Sequence, residues 1–263
     1  MQFDNKLVLI TGGASGLGKG IGLLMAQRGA DIVLVDVNAK KLESAEAEIS
    51  KFGRDVSCYI ADVTKRGEIS DVVDSISDKV DILVNAAGVI GASGFEDTQR
   101  SREEDWDLTH SINVKGTVIC SEVVAENMKE RRSGKIVNIA SHAGRRGSPD
   151  LSAYGASKAA VIHLTQSFAM DLASHNINVN VVCPGTIWTP MWEQIAERNR
   201  RIDPEKNQLT GRQVFEMAIQ ERCPLRREQT PEDIGKAVAF FASDDAINIT
   251  GQSLNVNGGT IMN

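Results

Sequence analysis

Long apolar runs, paired cysteines and surplus positive charge are all missing from this 263-residue chain. Nowhere do about 18 apolar residues run together, the length a helix needs to cross a bilayer, so no membrane span is expected. The first strand-like run, 7–11, starts almost at Met1 with no basic segment or long apolar stretch before it, which predicts no signal peptide. Cys58, Cys120, Cys183 and Cys223 lie far apart, without metal-ligand spacing or a CxxC pair. Small buried thiols of a reducing compartment are the expectation, and with them a cytoplasmic location. His110, His142, His163 and His175 show no ligand spacing either, so no metal is expected. A formal net charge of −6 argues against nucleic acid, whose phosphates need a basic face. Local basic pairs, Arg145-Arg146 and Arg200-Arg201, read as solvated surface. With no repeat, low-complexity tract or linker, one domain spanning 1–263 is predicted.

What is present is an alternation. Short runs apolar on both faces fall at 7–11, 32–37, 56–60, 82–85, 136–140, 177–182 and 254–256, as expected of strands covered by helices on both sides. Amphipathic stretches of helical length lie between them, at 17–28, 40–52, 68–77, 117–130, 154–174 and 231–242. The last has a clear start signal, Thr230 followed by Pro231, Glu232 and Asp233. Such alternation predicts an α/β fold, a parallel sheet with right-handed crossovers. The charge-rich stretch 189–224 breaks the rhythm and is too long for a simple connection, which predicts a partly helical lid or flap.

Thr11-Gly12-Gly13-Ala14-Ser15-Gly16-Leu17-Gly18 follows the first strand and opens the first helix. Glycine lets a backbone turn sharply and lets a ligand approach where a Cβ would intrude. A helix start offers unpaired N–H groups and the positive end of its dipole, which suits a pyrophosphate. A tight turn alone would also explain the glycines. The order strand, glycine loop, helix, strand favours a dinucleotide site, because the second strand brings Asp36 to its end, eighteen residues past Gly18. An acid at that spacing accepts ribose hydroxyl hydrogen bonds. Asp36 would also meet a 2′-phosphate with like charge, a repulsion of roughly 4 kcal/mol at about 4 Å and an effective dielectric of about 20. Neighbouring Val37 carries no cation, and no Arg or Lys precedes Lys19 in the loop. NAD is therefore the expected cofactor; the alternative for Asp36 is a solvated strand-end acid.

Tyr154 and Lys158 stand four apart at the start of a predicted helix and share one face. An accidental surface pair is the bland reading. The chemical one is specific: a phenol with a reference pKa of about 10 needs a cation beside it to act as a base near neutral pH. Tyr154 would then take a proton from an alcohol as hydride leaves its carbon, and return it in the reverse direction. Ser141 ends the fifth predicted strand at the carboxyl edge, where ligands of parallel sheets sit, and could hold the substrate oxygen or simply form a turn. Asn113 falls within a predicted helix, as a site residue or as a helix-bending polar one.

Together these residues resemble the short-chain dehydrogenase/reductase family, over essentially the whole chain. The fixed positions are Thr11-Gly12-x-x-x-Gly16-x-Gly18, Asp62-Val63, Asn113, Ser141 with Tyr154-x-x-x-Lys158, and Pro184-Gly185-x-x-x-Thr189. Asn85-Ala86-Ala87-Gly88 departs from the family's Asn-Asn-Ala-Gly segment at Ala86. The resemblance implies a three-layer, doubly wound parallel sheet of the Rossmann type with about seven strands. It implies that Gly12, Ser15, Gly16, Leu17 and Gly18 hold the cofactor, with Asp62 and Val63 at adenine. It adds Asn85, Ala86 and Gly88, and Pro184, Gly185, Ile187 and Thr189 toward the nicotinamide. By the same resemblance Ser141 orients the reacting oxygen, Tyr154 is the acid/base, Lys158 lowers its pKa and holds ribose, and Asn113 supports Lys158 and a relay water. A homotetramer is implied, built through helix pairs and the C-terminal strand, with 189–224 folding over the substrate.

The resemblance implies a small-molecule alcohol or ketone as substrate. The run 184–193 resembles segments of polyol, diol and acetoin dehydrogenases. Trp188 and Trp192, four apart, could instead form an apolar wall for a cyclic or aryl alcohol, or be lid packing. Arg145 or Arg146 could hold an anionic group, as in a 3-oxoacyl thioester reductase. His142, Ala143, Thr186 and Met191 complete the candidate substrate positions. A non-catalytic NAD-binding subunit is the alternative of another class; such a protein is expected to lose Tyr or Lys, and this chain keeps both.

Overall fold

The computed structural model describes residues 1–76 and 79–262. The described chain runs β1 (Leu7–Thr11), α1 (Gly16–Gln27), β2 (Asp31–Asp36), α2 (Ala39–Ile49), β3 (Val56–Ile60), α3 (Arg66–Ser75) and β4 (Ile82–Asn85). It continues with α4 (Glu103–Thr109), α5 (Thr117–Arg131), β5 (Gly134–Ile139), α6 (Ser152–Leu172), β6 (Ile177–Pro184), α7 (Pro190–Ile202), α8 (Gly211–Arg222), α9 (Pro231–Ala242) and β7 (Ser253–Val256). Among the described residues the strands form one seven-stranded sheet in the order β3-β2-β1-β4-β5-β6-β7. Every pairing is parallel. This is the Rossmann-type α/β fold expected.

Side chains alternate across each strand. Val8, Ile10, Ile32, Leu34, Ile82 and Val84 point into one core with α1, α2 and α9. Leu9, Val33, Val35 and Leu83 point into the other, under α3, α5 and α6. Each fully buried Leu, Ile or Val contributes roughly 1.5–3 kcal/mol, which fixes the strand register. Strand order reverses between β1 and β4, and the loops leaving their carboxyl ends diverge there to leave a crevice.

Several boundaries differ from the sequence reading. β2 stops at Asp36 because its carboxylate accepts from Asn38 N at 3.0 Å and turns the chain, while Asn38 caps α2 by accepting from Lys41 N. α2 gives way to a 3₁₀ turn, Ser50–Phe52, closed by left-handed Gly53. β6 runs on to Pro184 because β7 pairs with it there. α3 was expected to reach Ser77, which lies outside the described residues. α4 was not expected, and Asn113 lies in a π-helical stretch, His110–Gly116, that joins α4 to α5. The stretch after β6 is helical twice, as α7 and α8.

Candidate active site

A cleft of about 400 Å³ opens at the crevice between β1 and β4. It is lined by Gly12, Ser15, Gly16, Leu17 and Gly18 from the glycine loop, Asp36 from β2, and Asp62 and Val63 after β3. Ala86 and Gly88 after β4, Tyr154 and Lys158 from α6, and Thr189 and Met191 at the start of α7 are further predicted residues that meet there. Gly12 has φ of +66°, and a Cβ on it would lie 2.7 Å from the Ala87 backbone. A Cβ on Gly18 would lie 2.1 Å from Gly12 O. The glycines thus let the loop pack flat on β4 and on the first turn of α1, whose amides stay free for an anion. Asp36 Oδ2 accepts from Ala14 N at 3.2 Å, so the acid at the end of β2 also braces this loop. Thr11 Oγ1 accepts from Ala86 N and Ala87 N, both at 3.2 Å, tying the loop after β4 to β1. The glycine cradle, the helix start and the acid fit a nicotinamide dinucleotide.

Tyr154 and Lys158 sit in the first two turns of α6. They are 8% and 4% exposed, and the Lys158 ammonium lies 5.7 Å from the Tyr154 ring centroid. Lys158 Nζ donates to Ile139 O at 2.9 Å, and burial pushes its pKa down to about 8. Burial also pushes the Tyr154 phenol up to about 12, opposed by a hydrogen bond from Ser141. The sequence reading has the ammonium lowering the tyrosine; in the protein alone, desolvation raises it and the lowering influence is the Ser141 hydrogen bond. Ser141 Oγ also accepts from Ala143 N at 3.1 Å, which fixes the hydroxyl at the end of β5.

Asn113 is fully buried and its amide is saturated. It accepts from Val89 N at 2.8 Å and donates to Val89 O and Ser157 Oγ, both at 2.9 Å. A Cβ on Gly88 would lie 3.2 Å from Asn113 Oδ1 and 3.3 Å from Lys158 Nζ, so only glycine passes between these two side chains without crowding. The π turn lets Asn113 reach across to the loop after β4.

Other predicted residues stand outside the cleft lining. Asn85 donates to Ser121 Oγ at 2.9 Å and to Asn138 Oδ1 at 2.8 Å, stitching β4 to α5 and β5. Gly185 N donates to Val256 O at 3.0 Å, and Ile187 bridges to Gln229, so Pro184, Gly185 and Ile187 form the seat from which Thr189 reaches the cleft. Of the two readings open for Trp188 and Trp192, an apolar wall or packing within 189–224, the structure shows the packing, and neither lines the cleft. Both pack edge-on against Phe215 of α8, with centroids at 5.2 and 5.0 Å. Successive residues of a helix point about 100° apart, so Trp192 faces α8 while Met191 faces the cleft. Arg146 is exposed and lies outside the lining. His142 is half-buried beside Ser141; burial, with Arg222 and Arg146 nearby, pushes its pKa down to about 4. Its Nδ1 is buried without a hydrogen-bond partner among the described residues.

Sequence reasoning missed Val89, Ile90, Gly91, Ile112, Ile139, Ala140 and Gln194, which also line the cleft. Most sit in loops whose apolar side chains carry no motif. Gln194 could have been found from its i+3 spacing to Met191 on α7.

The sequence pattern of a family described as enoyl-(acyl carrier protein) reductase matches residues 12–260. The chain is 37% identical to a 3-oxoacyl-[acyl-carrier-protein] reductase of Thermotoga maritima, over 100% of each chain. A levodione reductase structure superposes with a TM-score of 0.88 at 33% identity, covering 98% of both chains. An NAD⁺-bound xylitol dehydrogenase superposes equally well, with a TM-score of 0.88 at 33% identity over 98% of this chain and 100% of that one. Among the described residues no helix is long and apolar enough to cross a membrane.

Proposed function

This chain belongs to the short-chain dehydrogenase/reductase family of oxidoreductases, and from that premise we propose that it moves hydride between NAD(H) and a secondary alcohol or ketone. The observation that carries the proposal is the convergence of Tyr154, Lys158, the glycine loop and Asp36 on one cleft. When bound, the nicotinamide supplies hydride exchange with the substrate carbon. Gly12, Ser15, Gly16, Leu17 and Gly18 would hold the dinucleotide's diphosphate, Asp36 its adenosine ribose, and Thr189 its carboxamide end. Tyr154 Oη gives its proton to the carbonyl oxygen in reduction and recovers it in oxidation. Ser141 Oγ, already bonded to Tyr154, shares that oxygen. Lys158, anchored on Ile139 O, keeps a positive charge beside the phenol. Asn113 holds the Val89 and Ser157 sides of the site in place.

NAD over NADP is supported by Asp36 at the cleft and Val37 beside it, and by the NAD⁺-bound neighbour. A 3-oxoacyl thioester is the second reading, supported by the 37%-identical Thermotoga reductase. The proposal includes one domain with a substrate lid over 189–224, and a cytoplasmic homotetramer. Four free thiols support the location, and apolar Met170 and Leu254, 82% and 39% exposed, support assembly.

The test is a panel of polyols, diols, aryl and cyclic alcohols and hydroxyacyl thioesters, each with NAD and with NADP, followed at the reduced-nicotinamide absorbance. Turnover is expected with NAD, and Asp36→Ala should narrow the NAD preference at least about tenfold. Absence of turnover across the panel would favour a non-catalytic binding subunit. An unchanged preference in Asp36→Ala would remove Asp36 as the discriminator.

A further inference from the structure

Segments far apart in sequence meet around the Tyr154 ring. Ile90 and Phe95 come from the connection after β4, Ala143 and Leu151 from the connection between β5 and α6, and Met191 and Ile195 from α7. Ile90, Tyr154 and Met191 also line the cleft, so this cluster is one of its walls. None of the six that cluster with the tyrosine carries a side-chain donor, and the Met191 thioether is at most a weak acceptor. Two nearby amides are already engaged: Val89 N donates to Asn113 Oδ1 and Ala92 N to Asp105 Oδ1, at 2.8 and 2.7 Å. Gln194 is the polar side chain that α7 brings to the cleft.

The wall is held rigidly from behind. Met191, Ile195 and Arg198 are spaced i, i+4, i+7 and share one face of α7. Arg198 is 2% exposed; its Nε donates to Thr98 O at 2.6 Å and its guanidinium lies 4.8 Å from the Phe95 ring centroid. A buried cation over an aromatic face is a directional contact, and it clamps Phe95 between α7 and the tyrosine. Asp105 secures the other side of the same connection, with Oδ2 accepting from Arg102 N at 2.8 Å.

We propose that the substrate carries a hydrocarbon substituent beside its reacting carbon, packed against Ile90 and Met191, which Phe95 and Ile195 back from behind, and that Arg198 is the positioning residue of this subsite. The inference rests on the oxidoreductase reading above and names its substrate class. Hydroxyls of a polyol placed against Ile90 and Met191 would lose water and gain no strong partner from those side chains, at on the order of tenfold in affinity for each.

The experiment measures kcat and KM for the full chain with NADH and three ketones: cyclohexanone, acetophenone and dihydroxyacetone. NADH affinity is measured separately by fluorescence titration. The expected result is a kcat/KM at least about 100-fold higher for the two hydrocarbon ketones than for dihydroxyacetone. Met191→Thr should raise KM for acetophenone roughly tenfold while NADH affinity holds. Arg198→Met, checked for folding by its melting transition, should raise the same KM with little change in kcat. Equal or better use of dihydroxyacetone overturns the inference and leaves the oxidoreductase reading standing. An unchanged KM in Met191→Thr, which decides the matter if Arg198→Met does not fold, overturns it too. Failure of every ketone while NADH still binds overturns the inference and leaves the oxidoreductase reading to the wider panel above.

Discussion

At the scale of single residues, the proposed chemistry depends on two buried groups whose shifts oppose their simplest roles. Tyr154 sits high, at about 12, and Lys158 low, at about 8, both through loss of water. The standing forms at neutral pH are therefore phenol and ammonium, the pair that donates a proton. Tyr154→Phe keeps the ring in its apolar surroundings and removes only the transferable proton. Turnover should fall about 10²–10⁴-fold while NAD affinity, read by fluorescence titration, is unchanged; near-normal rates would dismiss the assignment.

The direction of the shifts sets the pH profile. A raised phenol pKa means the proton stays on well above neutral pH, so ketone reduction should be flat from about pH 6 to 8. Alcohol oxidation needs phenolate, so its kcat/KM should climb with pH, close to tenfold per unit below the Lys158 pKa. Above about 8 Lys158 loses its charge, the support for phenolate weakens, and the climb should flatten. Paired rate profiles in the two directions check this; an oxidation rate independent of pH from 6 to 8 would contradict it.

At the scale of elements, legibility followed the length and purity of the pattern. The strands could be read because each residue between Leu7 and Thr11, or between Ile82 and Asn85, is buried among hydrophobic neighbours. Tyr154 and Lys158 could be read because one helical turn fixes their relation. The π turn around Asn113 could not, since one added residue per turn leaves no trace in a 3.6-residue period. α4 starts from Arg102, which no cap preference favours. α7 and α8 did carry start signals, Thr189-Pro190 and Thr210 with Gln213, each of which caps its helix in the structure. Charge had masked them. The two stripes of α7 were the real difficulty: Trp192 and Met191 are adjacent in sequence and serve different neighbours. Trp192→Ala should therefore leave NAD binding intact and loosen α8, at roughly 1–3 kcal/mol for a half-buried aromatic. Hydrogen exchange should rise across α8 and not in the sheet; equal protection throughout would show that the tryptophan does not hold α8.

At the scale of the whole molecule, the sheet ends in an unpaired edge. β7 is the outer strand beyond β6, it is four residues long, and Leu254 on it is 39% exposed. An edge strand that exposes hydrocarbon invites pairing or cover. Along α6, Met170 is 82% exposed, and partly buried Ile162 and Phe168 leave more hydrocarbon near the surface. A monomer would keep this apolar area in water, and burying about 800 Å² per partner is the usual scale of a stable interface. The formal charge of −6 per chain opposes close approach weakly at physiological salt, where screening acts over about 8 Å. Light scattering should accordingly report four copies of the 28.4 kDa chain. Met170→Glu combined with Leu254→Lys should shift the mass downward while the NAD-binding fluorescence signal persists. A monomeric wild type, or a double variant with unaltered mass, would mean that these two surfaces are not where the copies meet.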